Sequence, residues 1–201
     1  MDGTRRLFVA VDLDETARAA AVRVARHVAA ALEQGRARGV RWVGAGLLHL
    51  TLAFMAAVPE ADVAGVRDAL ETPMATAAFE AELRDVGLFP SQGPPRVVWI
   101  GIGDGLTALE ALHADVRERL EARGIALESR PFSAHLTLGR WRESRASDRS
   151  RVQAAAPRGT LARFPVDRVT LYESHLSPTG PSHVPLAQSA LGPRPGRVNQ
   201  R

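Results

Sequence analysis

The sequence contains neither cysteine nor lysine. Without cysteine the chain cannot form disulfides, thiolate metal sites or a cysteine nucleophile. All 26 basic residues are arginine, which together with abundant alanine and glycine indicates compositional bias, so we expect most of these arginines to be solvated. The first thirty residues carry acidic and basic side chains and no continuous apolar core, which is not typical of a signal peptide. We therefore expect a cytoplasmic protein.

Long hydrophobic runs are also scarce. Residues 42–58 lack Asp, Glu and Arg, but His49 and Thr51 interrupt the run and its second half alternates in the manner of a strand. We therefore predict no membrane association. The chain has 201 residues, 45% of them apolar, which is enough for one ordinary domain or two small packed lobes.

The basic charge is concentrated in one segment. Residues 130–168 contain nine arginines against Glu143, Asp148 and Asp167, in a chain whose net charge is +4. A local basic excess suits a polyanionic partner such as nucleic acid. The alternative is an arginine-rich loop and helix that are simply exposed.

One tetrapeptide occurs twice, as His49-Leu50-Thr51-Leu52 and as His135-Leu136-Thr137-Leu138. Ahead of each copy, the pattern of apolar residues predicts a strand, an amphipathic helix and two short strands. In the first half these are residues 7–13, 15–34, 40–43 and 47–55; in the second they are residues 96–103, 106–123, 125–129 and 134–140. After each copy we predict a helix (61–74; 145–156) and a strand (79–89; 166–176).

The repeated β-α-β-β order indicates an internal duplication. One such unit cannot bury both faces of its own sheet, so we predict an α+β fold with two pseudo-symmetric lobes and antiparallel-rich sheets around a central cleft. Residues 1–190 would form this single bilobal domain, with the proline-rich residues 90–95 as the crossing between repeats. Residues 191–201 would form a flexible C-terminal tail.

The repeated tetrapeptide suits phosphodiester chemistry. In a strand, His49 and Thr51 point to one face, about 7 Å apart, while Leu50 and Leu52 point to the other. If the lobes pack about a pseudo-dyad, His135 and Thr137 face them across the cleft. One histidine can then deprotonate water, the other can protonate the leaving oxygen, and the threonine hydroxyls can bind the non-bridging oxygens. This arrangement requires neither a metal nor a cofactor.

Several segments together resemble the two-histidine (2H) phosphoesterase superfamily, and within it the RNA 2′,3′-cyclic phosphodiesterases, also called 2′-5′ RNA ligases. They are "RLFVAVDL", "WVGAGLLHLTLAF", "PPRVVWIGIG", "RPFSAHLTLGR" and "VTLYESHLSPTGPSHVPLA". The resemblance implies a bilobal α+β fold and hydrolysis of RNA 2′,3′-cyclic phosphate ends to 2′-phosphomonoesters, with 2′-5′ RNA ligase activity as a further possibility. It implies that His49 is the proton donor, His135 the proton acceptor, and Thr51 and Thr137 the phosphate ligands. Symmetry in the sequence does not itself decide the two roles.

The chain departs from the family pattern at three places. Ala134 stands where a proline is common, Met55-Ala56-Ala57 where Leu-Gly-Glu is common, and His183 where an aromatic residue is common. No catalytic group is lost, but the departures affect substrate preference and loop geometry. We expect a monomer that acts on RNA.

Other residues are candidates for contacts with the substrate. His175 and His183 are candidate substrate contacts, and Arg130 and Arg140 flank the second motif and are candidate phosphate contacts. The tryptophans could stack bases but are more typical of core positions. His27 is expected on a solvated helix face, and His113 is expected to be partly buried beside the apolar stripe of its helix rather than to be a ligand. The tryptophans are Trp42, Trp99 and Trp141.

Three alternatives to the cyclic phosphodiesterase remain open at this point. The same site could act on 2′-5′-linked oligonucleotides or small cyclic nucleotides. The chain could be a non-catalytic RNA-binding module, although arginine alone would serve that purpose. A zinc hydrolase is the weakest alternative, because the two histidines have no third ligand at suitable spacing.

Overall fold

The computed structural model describes residues 3–35, 39–178 and 180–193 of the chain. Over these residues the chain forms ten strands and four α-helices, which confirms the predicted α+β class. The helices are α1 (Glu15–Gln34), α2 (Val63–Asp68), α3 (Leu106–Glu121) and α4 (Ala146–Ala155). The strands are β1 (Thr4–Asp12), β2 (Val40–Trp42), β3 (His49–Pro59), β4 (Met74–Ala77), β5 (Phe79–Phe89), β6 (Val97–Ile102), β7 (His135–Trp141), β8 (Thr160–Val166), β9 (Arg168–Ser177) and β10 (Gly180–Gly192).

All ten of these strands belong to one mostly antiparallel sheet in the described part of the chain, in the order β4-β10-β9-β1-β3-β7-β6-β5-β8, with β2 added beside β7. The sheet has two halves. We call β4, β10, β9, β1 and β3 the His49 lobe, and β7, β6, β5, β8 and β2 the His135 lobe. The lobes join where β3 pairs with β7, at Leu50 and Leu136. These are the central residues of the two repeated motifs.

The predicted duplication is present, but the two repeats exchange elements. Strand β5 follows the first motif in sequence, yet it pairs with β6 and β8 in the His135 lobe. Strand β9 follows the second motif, yet it pairs with β1 in the His49 lobe. The helices cross as well, because α1 packs against β8 and α4, whereas α3 packs against β3 and β4. Each lobe is therefore built from both repeats.

Helices α1 and α3 form where the apolar spacing predicts them. The Asp14 carboxylate caps α1 by accepting a hydrogen bond from the Ala17 amide at 2.8 Å, which satisfies a backbone donor that has no partner within the helix. Each helix buries one stripe against the sheet, and each fully buried leucine or valine in these stripes stabilises the fold by about 1.5–3 kcal/mol. The stripe of α3 consists of Leu109, Leu112, Val116 and Leu120, and the large residues of the α1 stripe are Val24, Val28 and Leu32.

The predicted strand at residues 125–129 is wrong. No strand forms there, although Ile125 is buried. The carbonyl of Glu128 accepts a hydrogen bond from the Arg117 side chain at 3.1 Å, so a side chain occupies an acceptor that a strand ladder would use. The predicted helix at residues 61–74 is also shorter, since α2 spans Val63–Asp68 and β4 begins at Met74. Pro73 has no backbone N–H to continue a helix.

The C-terminal region contains a strand that the sequence pattern does not reveal. Strand β10 includes Pro181 and Pro185, which cannot donate to a ladder, and it pairs with β9 over most of its length and with the short β4 near its end. The predicted tail, residues 191–201, begins inside this strand, because Leu191 is only 7% exposed and pairs with Met74. Residues 194–201 lie outside the described residues. No α-helix within the described ranges is both long and apolar enough to cross a bilayer.

Candidate active site

The two motifs lie side by side at the centre of the sheet. Leu50 and Leu136 are paired and buried. Leu52 and Leu138, two residues further along each strand, are buried as well. Because side chains alternate along a strand, the histidine and threonine of each motif must point to the opposite face. The four predicted site residues, His49, Thr51, His135 and Thr137, therefore share one face at the junction of the lobes.

The register at this junction crosses the two motifs. Strands β3 and β7 are antiparallel and pair at Leu50 and Leu136, so His49 and Thr137 flank this pair at one end and Thr51 and His135 flank it at the other. Residues directly opposite each other in an antiparallel pair point to the same side of the sheet. Each imidazole is therefore at the same end of this pair as the threonine of the other repeat, and all four side chains lie on one face of the sheet.

Both histidines are held by the same type of hydrogen bond. His49 Nδ1 lies 2.8 Å from the Leu47 carbonyl, and His135 Nδ1 lies 2.7 Å from the Ser133 carbonyl. A carbonyl oxygen can only accept, so each Nδ1 carries the proton and donates it. Each Nε2 is then an acceptor when the ring is neutral and a donor when the ring is charged. The duplication has preserved a tautomer that leaves both Nε2 atoms for a ligand.

The two imidazoles differ in their electrostatic surroundings. Burial lowers the pKa of His49 to about 4; the Leu47 hydrogen bond and the Asp12 carboxylate oppose this, and His183 and Arg18 add to it. Burial also lowers the pKa of His135, opposed by the Ser133 hydrogen bond and reinforced by Arg140. Both rings are therefore neutral at pH 7 when no ligand is bound. The Asp12 carboxylate thus favours the charged form of His49, whereas the Arg140 guanidinium disfavours the charged form of His135.

An aromatic and acidic cluster surrounds His49. The Phe8 ring stacks on it at 4.7 Å between centroids, and the His183 ring stands edge-on at 5.3 Å. Behind them the Asp12 carboxylate accepts hydrogen bonds from Tyr172 Oη and Thr170 Oγ1, each at 2.8 Å. Burial and the bond to Asp12 raise the pKa of Tyr172 to about 12. The phenol therefore stays protonated and remains a donor that holds the carboxylate in place.

Aromatic rings without a carboxylate surround His135. Phe89 stands edge-on to it at 5.2 Å, and Trp99 is 6.2 Å away, tilted against Phe89 at 4.9 Å. The indole lies over Gly87, where an added Cβ would come within 2.2 Å of it, so only glycine admits the tryptophan in this position. The Trp99 Nε1 atom is buried and has no hydrogen-bond partner among the described residues.

The remaining histidines divide between the site and the rest of the fold. His183 reaches the site, as described. His175 is on the neighbouring strand β9, 3.7 Å from the Glu173 carboxylate, and in the described part of the chain its ring stacks on none of the motif residues. His113 Nδ1 is bonded to the Leu52 carbonyl at 2.8 Å, and its ring stacks on Phe132 at 4.2 Å. His27 is exposed on α1, as expected for a helix-face residue.

Some of the arginine and tryptophan candidates lie at the site and others lie elsewhere. Arg130 is 82% exposed and pairs with Glu128 at 3.1 Å, whereas Arg140 is close enough to lower the pKa of His135. Trp99 is at the site, while Trp42 and Trp141 belong to the pairing of β2 with β7. Of the sequence candidates, the site thus includes His183, Trp99 and Arg140 beside the two motifs.

Sequence analysis missed Phe8, Asp12, Phe89 and Tyr172. A signal was present for two of them. In the first strand, Leu7, Val9 and Val11 are buried in the core, so Phe8 and Asp12 alternate onto the face that carries His49, and Asp12 is directly paired with His49 in the ladder. Phe89 and Tyr172 lie on the exchanged strands β5 and β9, whose neighbours are set by long-range pairing.

Among the described residues, no group of three or more His, Asp or Glu side chains is arranged to hold a metal ion. The absence of a metal requirement stays a prediction.

Comparison with known proteins identifies the family. A family model described as the 2′-5′ RNA ligase superfamily matches residues 8–178, which is most of the chain and includes both motifs. The chain belongs to the 2′-5′ RNA ligase superfamily. This confirms the resemblance to the two-histidine phosphoesterases.

Curated relatives in the superfamily carry one name. An RNA 2′,3′-cyclic phosphodiesterase from Thermus thermophilus is 34% identical over 96% of this chain and 93% of its own length. One from Archaeoglobus fulgidus is 31% identical over 90% of this chain and 97% of its own length. A third, from Geobacillus stearothermophilus, is longer, and the chain spans 60% of it at 28% identity. Among solved structures, E. coli LigT complexed with 3′-AMP superposes with a TM-score of 0.69 at 25% identity, covering 94% of this chain and 98% of that one.

Proposed function

We propose that this chain hydrolyses RNA 2′,3′-cyclic phosphate ends to 2′-phosphomonoesters without a metal ion. The observation that carries the proposal is the pair of His-x-Thr motifs on adjacent central strands, with both Nδ1 atoms bonded to carbonyls and both Nε2 atoms directed away from the backbone. The names of the relatives from T. thermophilus and A. fulgidus support the same reaction. We also propose a cytoplasmic monomer whose partner is RNA with cyclic phosphate ends.

In the proposed reaction, the cyclic phosphate sits between the two imidazoles. Neutral His135 accepts a proton from water at Nε2, and the water oxygen bonds to phosphorus. The bond between phosphorus and the 3′ oxygen breaks, and protonated His49 donates its Nε2 proton to that oxygen. The product carries a 2′-phosphomonoester and a free 3′-hydroxyl. A proton returned through solvent from His135 to His49 restores the starting state.

The threonines complete this arrangement. Thr51 and Thr137 each donate a hydroxyl hydrogen bond to a non-bridging oxygen, where charge accumulates as phosphorus becomes pentacoordinate. Because each threonine lies at the same end of the Leu50 and Leu136 pair as the histidine of the other repeat, the two oxygens are held from both lobes. The charge is stabilised in a partly buried site, where hydrogen bonds are stronger than in water.

The unequal charges around the two imidazoles support the assignment of roles. Asp12 favours the protonated form of His49, as a proton donor requires, and Arg140 favours the neutral form of His135, as a proton acceptor requires. Burial alone would leave His49 neutral at pH 7. A phosphodiester anion between the rings favours their charged forms, so we propose that the substrate itself raises the pKa of His49 into the working range.

The site could also act on 2′-5′-linked oligonucleotides or small cyclic nucleotides, and the superfamily name keeps 2′-5′ ligation as a candidate activity of the same groups. A non-catalytic RNA-binding module is the remaining alternative. It gives no reason for two imidazoles with matched tautomers, since arginine binds phosphate without any such requirement.

The test is to incubate the protein in excess chelator with a short RNA that ends in a 2′,3′-cyclic phosphate. We expect a 2′-phosphomonoester and full activity, with cyclic mononucleotides and a 2′-5′-linked dinucleotide as comparison substrates. A 3′-phosphomonoester would contradict the proposed leaving group. Loss of turnover that zinc restores would contradict the metal-independent mechanism, and binding without turnover of any substrate would favour the RNA-binding module.

A further inference from the structure

The site face of the His49 lobe extends beyond the catalytic pair. Residues that point the same way on adjacent strands can be followed from the ladders. On β1 this row contains Phe8 and Asp12, which pair with Phe54 and His49 of β3. Phe8 also pairs with Tyr172 of β9, and Tyr172 pairs with Pro185 of β10. The side chains on this face next to His49 are thus mostly aromatic.

Three hydrogen-bond donors lie along the outer edge of these rings. His183 of β10 pairs with Ser174 of β9, so both side chains are on the face that carries Tyr172. Continuing the pairing of Leu7 with Glu173 by one residue sets Arg6 of β1 opposite Ser174. The Arg6 guanidinium confirms this direction, since it lies 5.0 Å above the Phe54 ring. Arg6, Ser174 and His183 therefore form one row across three neighbouring strands.

These donors are not used by the fold. Within residues 3–35, 39–178 and 180–193, none of the three side chains has a hydrogen bond or an ion pair. The adjacent Arg5, by contrast, is engaged by Glu60 at 2.6 Å and by Glu173 at 3.1 Å. The carboxylate on the same face, Asp12, is already occupied by Tyr172 and Thr170. The row is thus a cationic and donor-rich strip with no internal anion.

We propose that Arg6, Ser174 and His183 form a second anion subsite, which binds the phosphodiester that links the cyclic-ended nucleotide to its 5′ neighbour. This inference rests on the proposed function and specifies its substrate as an oligonucleotide rather than a cyclic mononucleotide. A guanidinium, a hydroxyl and an imidazole are all suited to phosphate oxygens, and the guanidinium can bind two of them at once.

The position of the row relative to the catalytic pair supports this substrate. The His183 ring touches both Phe8 and His49, with centroids 4.7 and 5.3 Å away. The row therefore begins at His183, directly beside the proton donor, so a phosphate bound in the row would be a close neighbour of the phosphate held by the catalytic pair. Phe8 is only 3% exposed, so a ribose between the two phosphates would lie over the His183 ring rather than against Phe8. A cyclic mononucleotide has no phosphate to place in the row, so it gains nothing from these three residues.

The test compares two ligands that differ by one 5′ nucleotide, which brings the linking phosphodiester with it. They are a nucleoside 2′-monophosphate and the dinucleotide that carries the same 2′-phosphate, and their affinities are measured by titration calorimetry, which needs no turnover. The measured quantity is the ratio of the two dissociation constants. We expect the wild type to bind the dinucleotide at least tenfold more tightly, and Arg6→Gln to reduce this preference about tenfold, as removal of a hydrogen bond to a charged group typically does.

Two further variants make the test specific. His183→Phe keeps a ring against Phe8 and His49 but removes both nitrogens, and it should lower the same ratio several-fold. Arg26→Gln removes an exposed charge on α1, which packs against the His135 lobe, and it should leave the ratio unchanged. Turnover of a cyclic-ended dinucleotide by the wild type is recorded in parallel.

The outcomes separate this inference from the proposed function. Equal affinity of the wild type for both ligands, or a ratio that Arg26→Gln lowers as much as Arg6→Gln does, overturns the subsite whether or not the enzyme turns over. Absence of turnover with a preference that Arg6→Gln abolishes would instead overturn the hydrolytic function and leave the subsite standing.

Discussion

The two halves of the site carry the same tetrapeptide in different surroundings. On both sides the Nδ1 atom donates to a carbonyl two residues earlier. Around His49 there are an acidic residue, a second imidazole and a tyrosine, whereas around His135 there are Phe89, Trp99 and an arginine. Duplication has thus kept the hydrogen bond that orients each imidazole and diversified the charges around the two rings.

The largest effect should come from removing either imidazole. We expect His49→Ala and His135→Ala each to lower kcat about 10²–10⁴-fold, the usual contribution of one positioned acid or base. Both side chains lie on the face of the sheet opposite to the buried leucines of the motifs, so the far-UV spectrum and unfolding transition should be retained. A substrate with a nitrophenyl leaving group, which needs no protonation, should partly rescue His49→Ala alone. Rescue of both variants, or of His135→Ala alone, would overturn the assigned roles.

A smaller effect is expected on stability in acid. The pKa of His49 is about 4 in the folded protein and about 6.5 in the unfolded chain. Between these values the unfolded chain binds a proton that the folded protein does not. Stability from this group is complete above pH 6.5 and falls as the pH drops towards 4, by about 1.4 kcal/mol per unit at most.

Denaturant unfolding at pH 7 and pH 5 measures this difference. The wild type should lose up to about 2 kcal/mol through His49 over this range, and His49→Gln should lose correspondingly less. His135→Gln serves as the matched control. The His135 ring is more accessible than that of His49, so its removal should alter the wild-type loss of stability less than removal of His49 does. Identical losses in the two variants would show that the two imidazoles are equally desolvated.

The pH profile should shift between the free and bound enzyme. The value of kcat/KM reports groups of the free enzyme, in which burial lowers the pKa of both His49 and His135. Both limbs of the bell should therefore lie below pH 6.5. In kcat, the bound phosphodiester anion favours the charged rings, so we expect both limbs to move up by about one to three units. Superimposable profiles would mean that the substrate does not tune the donor.

The smallest effect concerns the basic segment, residues 130–168. Its arginines are not equivalent, because Arg130, Arg151, Arg163 and Arg168 make ion pairs. Arg140, Arg142 and Arg158 are exposed and have no ion pair in the described part of the chain. If these three meet RNA phosphates, the salt slope for a long RNA should be steeper than that for a dinucleotide by about −2, at about −0.7 for each phosphate.

The double variant Arg142→Gln/Arg158→Gln tests the segment without altering the catalytic pair. It should reduce the salt slope for a long RNA by about one unit. Arg168→Gln, which loses an arginine already paired with Asp167 at 2.9 Å, is the control and should leave the slope nearly unchanged. Equal slopes for long and short substrates would mean that the segment is an ordinary solvated surface.

The parts of the fold that the sequence predicts are those encoded over short distances. The alternation of His49, Leu50, Thr51 and Leu52 is sufficient to place the imidazole and hydroxyl on one face, and the apolar spacing is sufficient to bound α1 within a residue or two. The repeated tetrapeptide also indicates that the motifs meet. These inferences depend on periods of two and 3.6 residues, which are visible in a window of a few residues.

The parts that it does not predict depend on partners far away in the sequence. Nothing in "FEAELRDVGLF" reveals that β5 joins the second lobe, and nothing in the two prolines of β10 predicts a long edge partner for β9. The bond from Tyr172 to Asp12 joins residues 160 positions apart. The carboxylate that distinguishes the two halves of the site is therefore visible in the sequence, but its restraint by Tyr172 is not.

The exchange of β5 and β9 between the repeats also governs when each lobe can form during synthesis. β1 is made first, yet one of its two edges is paired by β9, which comprises Arg168–Ser177. One edge of β1 in the His49 lobe therefore stays unpaired until most of the chain has been synthesised. Contacts of such large sequence separation slow folding and prolong the exposure of an aggregation-prone edge. We therefore expect the sheet of the His49 lobe to be completed later in synthesis than it would be in a two-lobed protein whose lobes each close within one repeat.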